Sequence, residues 1–169
     1  MDDRKIKIAQ AAIRVVSRYG LRKVTMSDLA TESGVSRQTL YNIYSNKDEV
    51  VRDAISYATN KGINELRQAW EKDQTLDQKF CSFCRFGPLA WFDMIQSSPD
   101  AADLLVGLQS AGGQELAEGS QKWTRELETL LSEYDVKLTE TTLTPRALAE
   151  FIYTSSAAAK SSAKNRQHT

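Results

Sequence analysis

Apolar residues recur every three or four positions along most of the chain, a period that is typical of amphipathic helices. The first segment with this pattern covers residues 3–19 and is followed by Gly20, a residue common after the last turn of a helix. Within it Ile6, Ile13 and Val16 fall on one face. No segment shows the strict alternation that is typical of a strand. The pattern therefore predicts an all-α fold.

Three further helices are predicted before residue 72, each preceded by a polar side chain that can cap its first turn. Glycine at position 34 allows a tight turn between the second and third. The predicted bounds are Thr25 to Ser33 for the second helix, Arg37 to Ile43 for the third after the cap Ser36, and Asn46 to Trp70 or Glu71 for the fourth.

The second half of the chain continues the helical pattern, with caps and prolines marking the starts of helices. Pro88 is expected to kink the helix that contains it, because proline removes a hydrogen bond and crowds the preceding turn. Gly112 and Gly113 are expected to break the chain. The predicted segments run from Thr75 through Phe80 to Ile95, from Ser98–Pro99 to about Gln109, through Trp123, Leu127, Leu130, Leu131 and Tyr134, and from Thr144–Pro145 to about Lys164.

The first three helices together have the form of a helix-turn-helix unit. Such a unit needs apolar side chains beneath the third helix, here Leu29, Val35 and Leu40, and polar side chains on its outer face. Arginine pairs with guanine edges, and glutamine or asparagine with adenine edges, in the major groove of DNA. The polar side chains at the start of the third helix are Arg37, Gln38, Thr39 and Asn42.

The distribution of charge agrees with this interpretation. The chain has no net charge, but residues 1–52 hold ten basic and six acidic side chains, so the remainder is acidic. An excess of positive charge favours a polyanionic partner, because contacts to phosphates are electrostatic.

Several motifs in fixed register resemble those of the TetR family of bacterial repressors. They are IAQAA at 8–12, VTMSDLA at 24–30, GVSR at 34–37 and TLYNIYSNKDEV at 39–50. One departure is Tyr44, where the family usually has phenylalanine. The resemblance covers about residues 4–52, and it implies phosphate contacts by Thr25, Ser27, Tyr41 and Lys47 and base contacts by Arg37, Gln38 and Asn42. The full predicted DNA-binding set is Thr25, Ser27, Ser36, Arg37, Gln38, Thr39, Tyr41, Asn42, Tyr44 and Lys47.

The resemblance implies a division into a DNA-binding domain at 1–52, the head, and a helical effector-binding and dimerisation domain at 53–169, the body. It further implies a homodimeric repressor that a small molecule releases from a palindromic operator. In such a protein the fourth helix would carry the movement between the two sites. No apolar stretch is long enough to span a membrane and no leader pattern precedes the first helix, so a cytoplasmic protein is expected.

Aromatic side chains are frequent in the body, where they could line an apolar pocket or simply form the core. Phe83, Trp91 and Trp123 are the predicted ligand contacts. A hydrophobic or cationic effector is favoured, because the body is acidic and the expected pocket apolar.

Three alternatives compete with a repressor released by a small molecule. One is a DNA-bound activator, which the sequence does not distinguish from a repressor. Cys81 and Cys84 lie three residues apart, near one face of a helix, and could sense redox state, although neighbouring phenylalanines favour burial. An all-α enzyme has little support, because the single histidine is His168 and no carboxylate pair forms a catalytic motif. The sequence therefore predicts no enzyme activity, no cofactor and no metal site.

Small side chains dominate the last predicted helix between Thr154 and Ala163, where they would allow close approach of a second subunit or of a neighbouring helix. In TetR relatives the last two helices usually form the dimer interface. The sequence ends at Thr169, after the first of that pair. Either the final helix is absent from this sequence or the subunits pair in another way.

Overall fold

The structure is a computed structural model that describes residues 2–133 and 143–162, with side chains described up to Ser156. All regular secondary structure within these ranges is helical, so the predicted all-α class is confirmed. Tyr134 and the predicted helix end at Lys164 lie outside the described residues, and most of the small side chains of the last predicted helix lie beyond Ser156.

The helix bounds agree closely with the periodicity of the sequence, most of all in the first 70 residues. The elements are α1 (Asp3–Tyr19), α2 (Met26–Ser33), α3 (Arg37–Ile43), α4 (Lys47–Trp70), α5 (Leu76–Cys84), a π-helical turn (Arg85–Leu89), α6 (Ala90–Gln96), α7 (Ala101–Ser132) and α8 (Pro145–Ser162).

The caps expected in the head are present. The Thr25 hydroxyl accepts a hydrogen bond from the Asp28 N–H at 3.2 Å, and the Asp28 carboxylate accepts one from the Thr25 N–H at 2.9 Å. The Ser36 hydroxyl accepts from the Thr39 N–H at 3.0 Å. Gly34 ends α2 with φ at +68°, a left-handed conformation that is strained for residues with a side chain. The capping box thus fixes the start of α2, and Gly34 with the Ser36 cap fixes the turn between α2 and α3.

Two predicted features of the second half differ in the structure. The helix expected to start at Ser98–Pro99 begins instead at Ala101, because the Asp100 carboxylate accepts the Asp103 N–H at 3.0 Å and caps the first turn. Around Pro88 the helix widens into the π-helical turn rather than simply kinking. A widened turn accommodates a ring that has no N–H to donate.

The break expected at Gly112 and Gly113 is confined to one residue. Gly112 has non-helical angles, with φ at −144° and ψ at 36°, while α7 continues on both sides. A Cβ atom on Gly112 would lie 2.5 Å from Ile55 Cδ1, so the glycine permits a close approach between α7 and α4.

The chain forms two compact units. The first combines residues up to Lys61 with Asp93–Leu116, and its buried side chains include Ile8, Leu29, Leu40 and Leu104. The second combines Gly62–Phe92 with the described residues from Ala117 onward. Its core cluster consists of Ile63, Leu66, Phe83, Trp123, Leu127, Leu131 and Ala149. The functional division at residues 52 and 53 stays a prediction.

None of the described helices combines the length and apolar character that crossing a membrane requires.

Candidate nucleic-acid interface

Helix α3 has one buried side and one polar side. Leu40 is fully buried and anchors the helix in the core of its unit. On the opposite side Arg37, Gln38 and Asn42 are exposed, and 55% of Tyr41 is accessible. The seven-residue helix is thus held by its inner face while its outer face remains accessible for base edges and phosphates.

Hydrogen bonds along this outer face order the side chains predicted to contact DNA. The Arg37 guanidinium donates to the Ser27 hydroxyl, which links the start of α3 to α2. The Gln38 amide donates to the Asn42 side-chain carbonyl at 3.0 Å, one turn along the helix. Ser36 and Thr39 share a hydrogen bond of 2.8 Å between their hydroxyls. Of the predicted base contacts, Gln38 and Asn42 therefore lie side by side.

Lys47, at the start of α4, is joined to the turn that precedes α2. Its ammonium donates to the backbone carbonyls of Leu21 at 2.8 Å and Val24 at 3.0 Å. A lysine ammonium has three donors, so these two bonds are compatible with a third to a phosphate oxygen. The structure thus gives Lys47 a bracing role beside the phosphate contact predicted for it.

Tyr44 lies in the core rather than on the DNA-binding surface. It follows the last residue of α3, is 3% exposed, and donates its hydroxyl hydrogen to Asp53 Oδ2 at 2.7 Å. A side chain so deeply buried cannot reach a phosphate, which corrects the contact predicted for Tyr44. Burial, followed by the hydrogen bond to Asp53, raises the pKa of the Tyr44 hydroxyl well above its usual value.

This environment predicts a loss of stability in alkaline solution. Because the folded-state pKa of Tyr44 is raised, the contribution of its hydroxyl to the free energy of unfolding is constant below the ordinary pKa of 10.0. This contribution is lost as the pH rises beyond that value. The free energy of unfolding should fall with a slope of up to about 1.4 kcal/mol per pH unit from this group. Urea titrations of wild type and Tyr44→Phe at increasing pH test this; equal slopes for both proteins would contradict it.

The predicted ligand contacts occupy different environments in the second unit. Phe83 is fully buried and meets Trp123, 8% exposed, edge to face with ring centroids 5.7 Å apart. Trp91 is half-buried. Phe83 and Trp123 thus belong to the core cluster, and a ligand role for these three residues stays a prediction.

An open cleft of about 550 Å³ lies between the end of α4 and the segment of α5 and the π-helical turn. Its lining differs from the apolar pocket expected from the sequence, because most of the side chains are polar or charged. Phe86 lines the cleft and also packs against the core cluster. The lining residues are Glu65, Gln68, Ala69, Lys72, Asp73, Gln78, Cys81, Ser82, Arg85 and Phe86.

The two cysteines are free thiols with different exposure. Cys81 is exposed and lines the cleft, whereas Cys84 is half-buried against the core cluster. Burial, followed by the proximity of Cys81, raises the pKa of the Cys84 thiol. Because the thiolate is the reactive form, this environment makes Cys84 less reactive rather than more. Among the described residues, no group of three or more histidine, cysteine, aspartate or glutamate side chains could hold a metal ion.

Comparison with known protein families supports the interpretation of the first unit. Residues 8–54 match the family described as "Bacterial regulatory proteins, tetR family". Residues 8–54 are therefore a TetR-type segment. The matched segment contains all the predicted DNA contacts, from Thr25 to Lys47. It is therefore the DNA-binding segment of a TetR-type transcriptional regulator.

A curated relative covers a somewhat longer part of the chain. The uncharacterised HTH-type transcriptional regulator YfiR of Bacillus subtilis (strain 168) is 34% identical over 70 residues, which is 41% of this chain and 34% of YfiR. The match thus spans about a third of the length of YfiR, so the rest of that protein gives no information about the body of this chain.

Solved structures extend the likeness of fold to nearly the whole chain. The fatty acid degradation regulator FadR from Bacillus halodurans superposes with a TM-score of 0.72, covering 95% of this chain and 83% of FadR at 17% identity. The superantigen PfiT superposes with a TM-score of 0.60, covering 91% of this chain and 96% of PfiT at 16% identity. At such identities the likeness establishes the fold alone, and these differently named proteins illustrate that one fold can serve several functions.

Proposed function

We propose that this protein is a ligand-responsive repressor that binds a palindromic operator as a homodimer in the cytoplasm. The observation that carries the proposal is the exposed face of α3. It presents Arg37, Gln38, Tyr41 and Asn42, while Leu40 on the opposite side is buried and anchors the helix. A side-chain set of this chemistry, on a helix of this size, suits insertion into the major groove.

The effector site of this repressor is the cleft beside the end of α4. Lys72 and Arg85 supply positive charge and Glu65 and Asp73 negative charge, while Phe86 supplies an apolar surface. This lining favours an amphipathic small molecule with charged groups over a plain hydrocarbon. Because α4 begins in the DNA-binding unit at Lys47 and ends at Trp70 beside the cleft, it is the element through which binding would act.

A second copy of the chain would cover the outer face of α8. Phe151 is 69% exposed, and Ala147, Thr154 and Ser155 are exposed on the same side of the helix. Large exposed aromatic side chains are typical of subunit contacts. Two heads in such a dimer would have to reach half-sites about 34–36 Å apart.

Selection of bound fragments from a random DNA pool tests the proposal. We expect enrichment of an inverted repeat whose half-site centres are one helical turn apart, and binding that weakens as salt increases. Screening small molecules for release of the selected DNA, with tryptophan fluorescence as a direct binding signal, then tests the effector site, because Trp70 lies at the end of α4.

Three outcomes would count against separate parts of the proposal. Absence of any enriched sequence at moderate salt would overturn the operator-binding function. Enrichment of single, unpaired half-sites would overturn the homodimer. If oxidants release the DNA from wild type but not from a Cys81→Ser, Cys84→Ser variant, the signal is redox state rather than a small molecule.

A further inference from the structure

Two side chains donate to the same carboxylate oxygen beneath the recognition helix. The Tyr44 hydroxyl lies 2.7 Å from Asp53 Oδ2, and the Lys5 ammonium lies 3.1 Å from the same atom. The Lys5 ammonium is also 5.3 Å from the centroid of the Tyr44 ring, within the range of a cation–π contact. The carboxylate is therefore the acceptor on which a phenol and an ammonium converge.

The three residues come from three different helices. Lys5 belongs to α1, Tyr44 follows the last residue of α3, and Asp53 lies in the second turn of α4. A helix of seven residues is too short to be stable alone, so tertiary contacts must determine the orientation of α3. Leu40 provides a non-directional apolar anchor, whereas the hydrogen bond of Tyr44 is directional.

We propose that Asp53 is a positioning residue for DNA recognition, which holds the carboxyl end of α3 on α4 and α1 through Tyr44 and Lys5. The role of α3 in reading bases rests on the proposed function. Asp53 touches no base or phosphate in this proposal. It acts on Gln38, Tyr41 and Asn42 through the orientation of their helix.

Base recognition depends on such positioning more than phosphate contact does. Hydrogen bonds to base edges require a productive geometry within about 0.5 Å, whereas attraction to phosphates tolerates movement of the helix. Loosening the end of α3 should therefore lower affinity for the selected sequence while leaving affinity for unrelated DNA nearly unchanged. Phenylalanine at position 44 would have no hydroxyl and could not make this contact.

The central test replaces Tyr44 with phenylalanine, which keeps the ring in the core and removes only the hydroxyl. We expect the ratio of affinities for selected and unrelated DNA to fall by roughly 3- to 10-fold, the range expected for loss of one hydrogen bond. The matched control is Tyr57→Phe. Tyr57 lies on α4, as Asp53 does, and its hydroxyl accepts a hydrogen bond from Gln10 of α1 at 2.6 Å, a contact that does not involve α3. Its affinity ratio should remain that of wild type.

Amide hydrogen exchange provides a second readout that needs no DNA. Exchange at residues 40–44 should be faster in Tyr44→Phe and Asp53→Asn than in wild type, but unchanged in Tyr57→Phe. This comparison separates a loosened recognition helix from a general loss of stability. A general loss would speed exchange in all three variants in proportion to the decrease in their melting temperatures.

The outcomes distinguish this inference from the function on which it rests. Unchanged exchange and an unchanged affinity ratio in Tyr44→Phe would overturn the positioning role, while the wild-type protein still selects its sequence. Equal effects of Tyr44→Phe and Tyr57→Phe would also overturn it, because the effect would then be stability alone. If wild type selects no sequence, the proposed function fails, and with it any role for Asp53 in recognition.

Discussion

Replacing Phe83 with alanine should lower the free energy of unfolding by about 3–5 kcal/mol. The ring is fully buried, meets Trp123 edge to face, and belongs to the same cluster as Leu66 and Leu127. Truncation removes apolar contacts and leaves a cavity that the surrounding side chains cannot fill completely. Urea titration followed by circular dichroism measures the change.

The exposed neighbour Cys81 supplies the control for this prediction. It lies on the same helix, two residues before Phe83, and its replacement by alanine should change stability by no more than about 0.5 kcal/mol. A loss below about 1 kcal/mol for Phe83→Ala, combined with an altered response to an effector, would instead support Phe83 as a ligand contact. The prediction thus decides between the core role and the ligand role of this side chain.

The head was predictable from the sequence because its signals are local. Capping residues such as Thr25 and Ser36 satisfy N–H groups within three residues of their own position, and glycine at position 34 marks its turn directly. The bounds of α2 and α3 follow from these signals. The polar face of α3 is likewise evident from the spacing of its residues, because the period of a helix alone determines which of them share a side.

Features that depend on contacts distant in sequence were not predictable in this way. Aromatic periodicity indicates that Phe83 and Trp123 are buried, but it does not distinguish a core from a pocket. The start of α7 depended on whether Ser98 or Asp100 provides the cap, and both are good capping residues. The carboxylate of Asp53 receives hydrogen bonds from residues nine and 48 positions away. The only sequence signal for the hydrogen bond to Tyr44 was the tyrosine itself, in place of the phenylalanine usual in the family that the sequence resembles.

The second large effect concerns DNA binding, where Lys47→Gln should weaken binding to every sequence. The variant loses a positive charge at a predicted phosphate contact, and the slope of log affinity against log salt should become shallower by about one. It also weakens the bonds from this side chain to the carbonyls of Leu21 and Val24, so the turn before α2 should loosen. Fluorescence anisotropy with selected and unrelated DNA at several salt concentrations measures both effects.

Lys72→Gln is the charge-matched control, because it removes the same charge from the lining of the cleft in the other unit. Its salt slope should equal that of wild type. An equal change of slope in both variants would mean that net charge, rather than the position of Lys47, determines the effect.

In contrast to Lys47→Gln, Arg37→Gln should change the sequence preference rather than the affinity for all DNA. Its guanidinium is exposed at the first turn of α3, oriented by the Ser27 hydroxyl, and suited to a guanine edge. Its replacement should cost about 1–3 kcal/mol on the selected sequence and change the preferred base at one position of each half-site, with little effect on unrelated DNA. Selection repeated with the variant reveals the altered base. If Arg37→Gln lowers affinity for all sequences equally, the side chain contacts a phosphate, and the base contacts of α3 are confined to residues further along the helix.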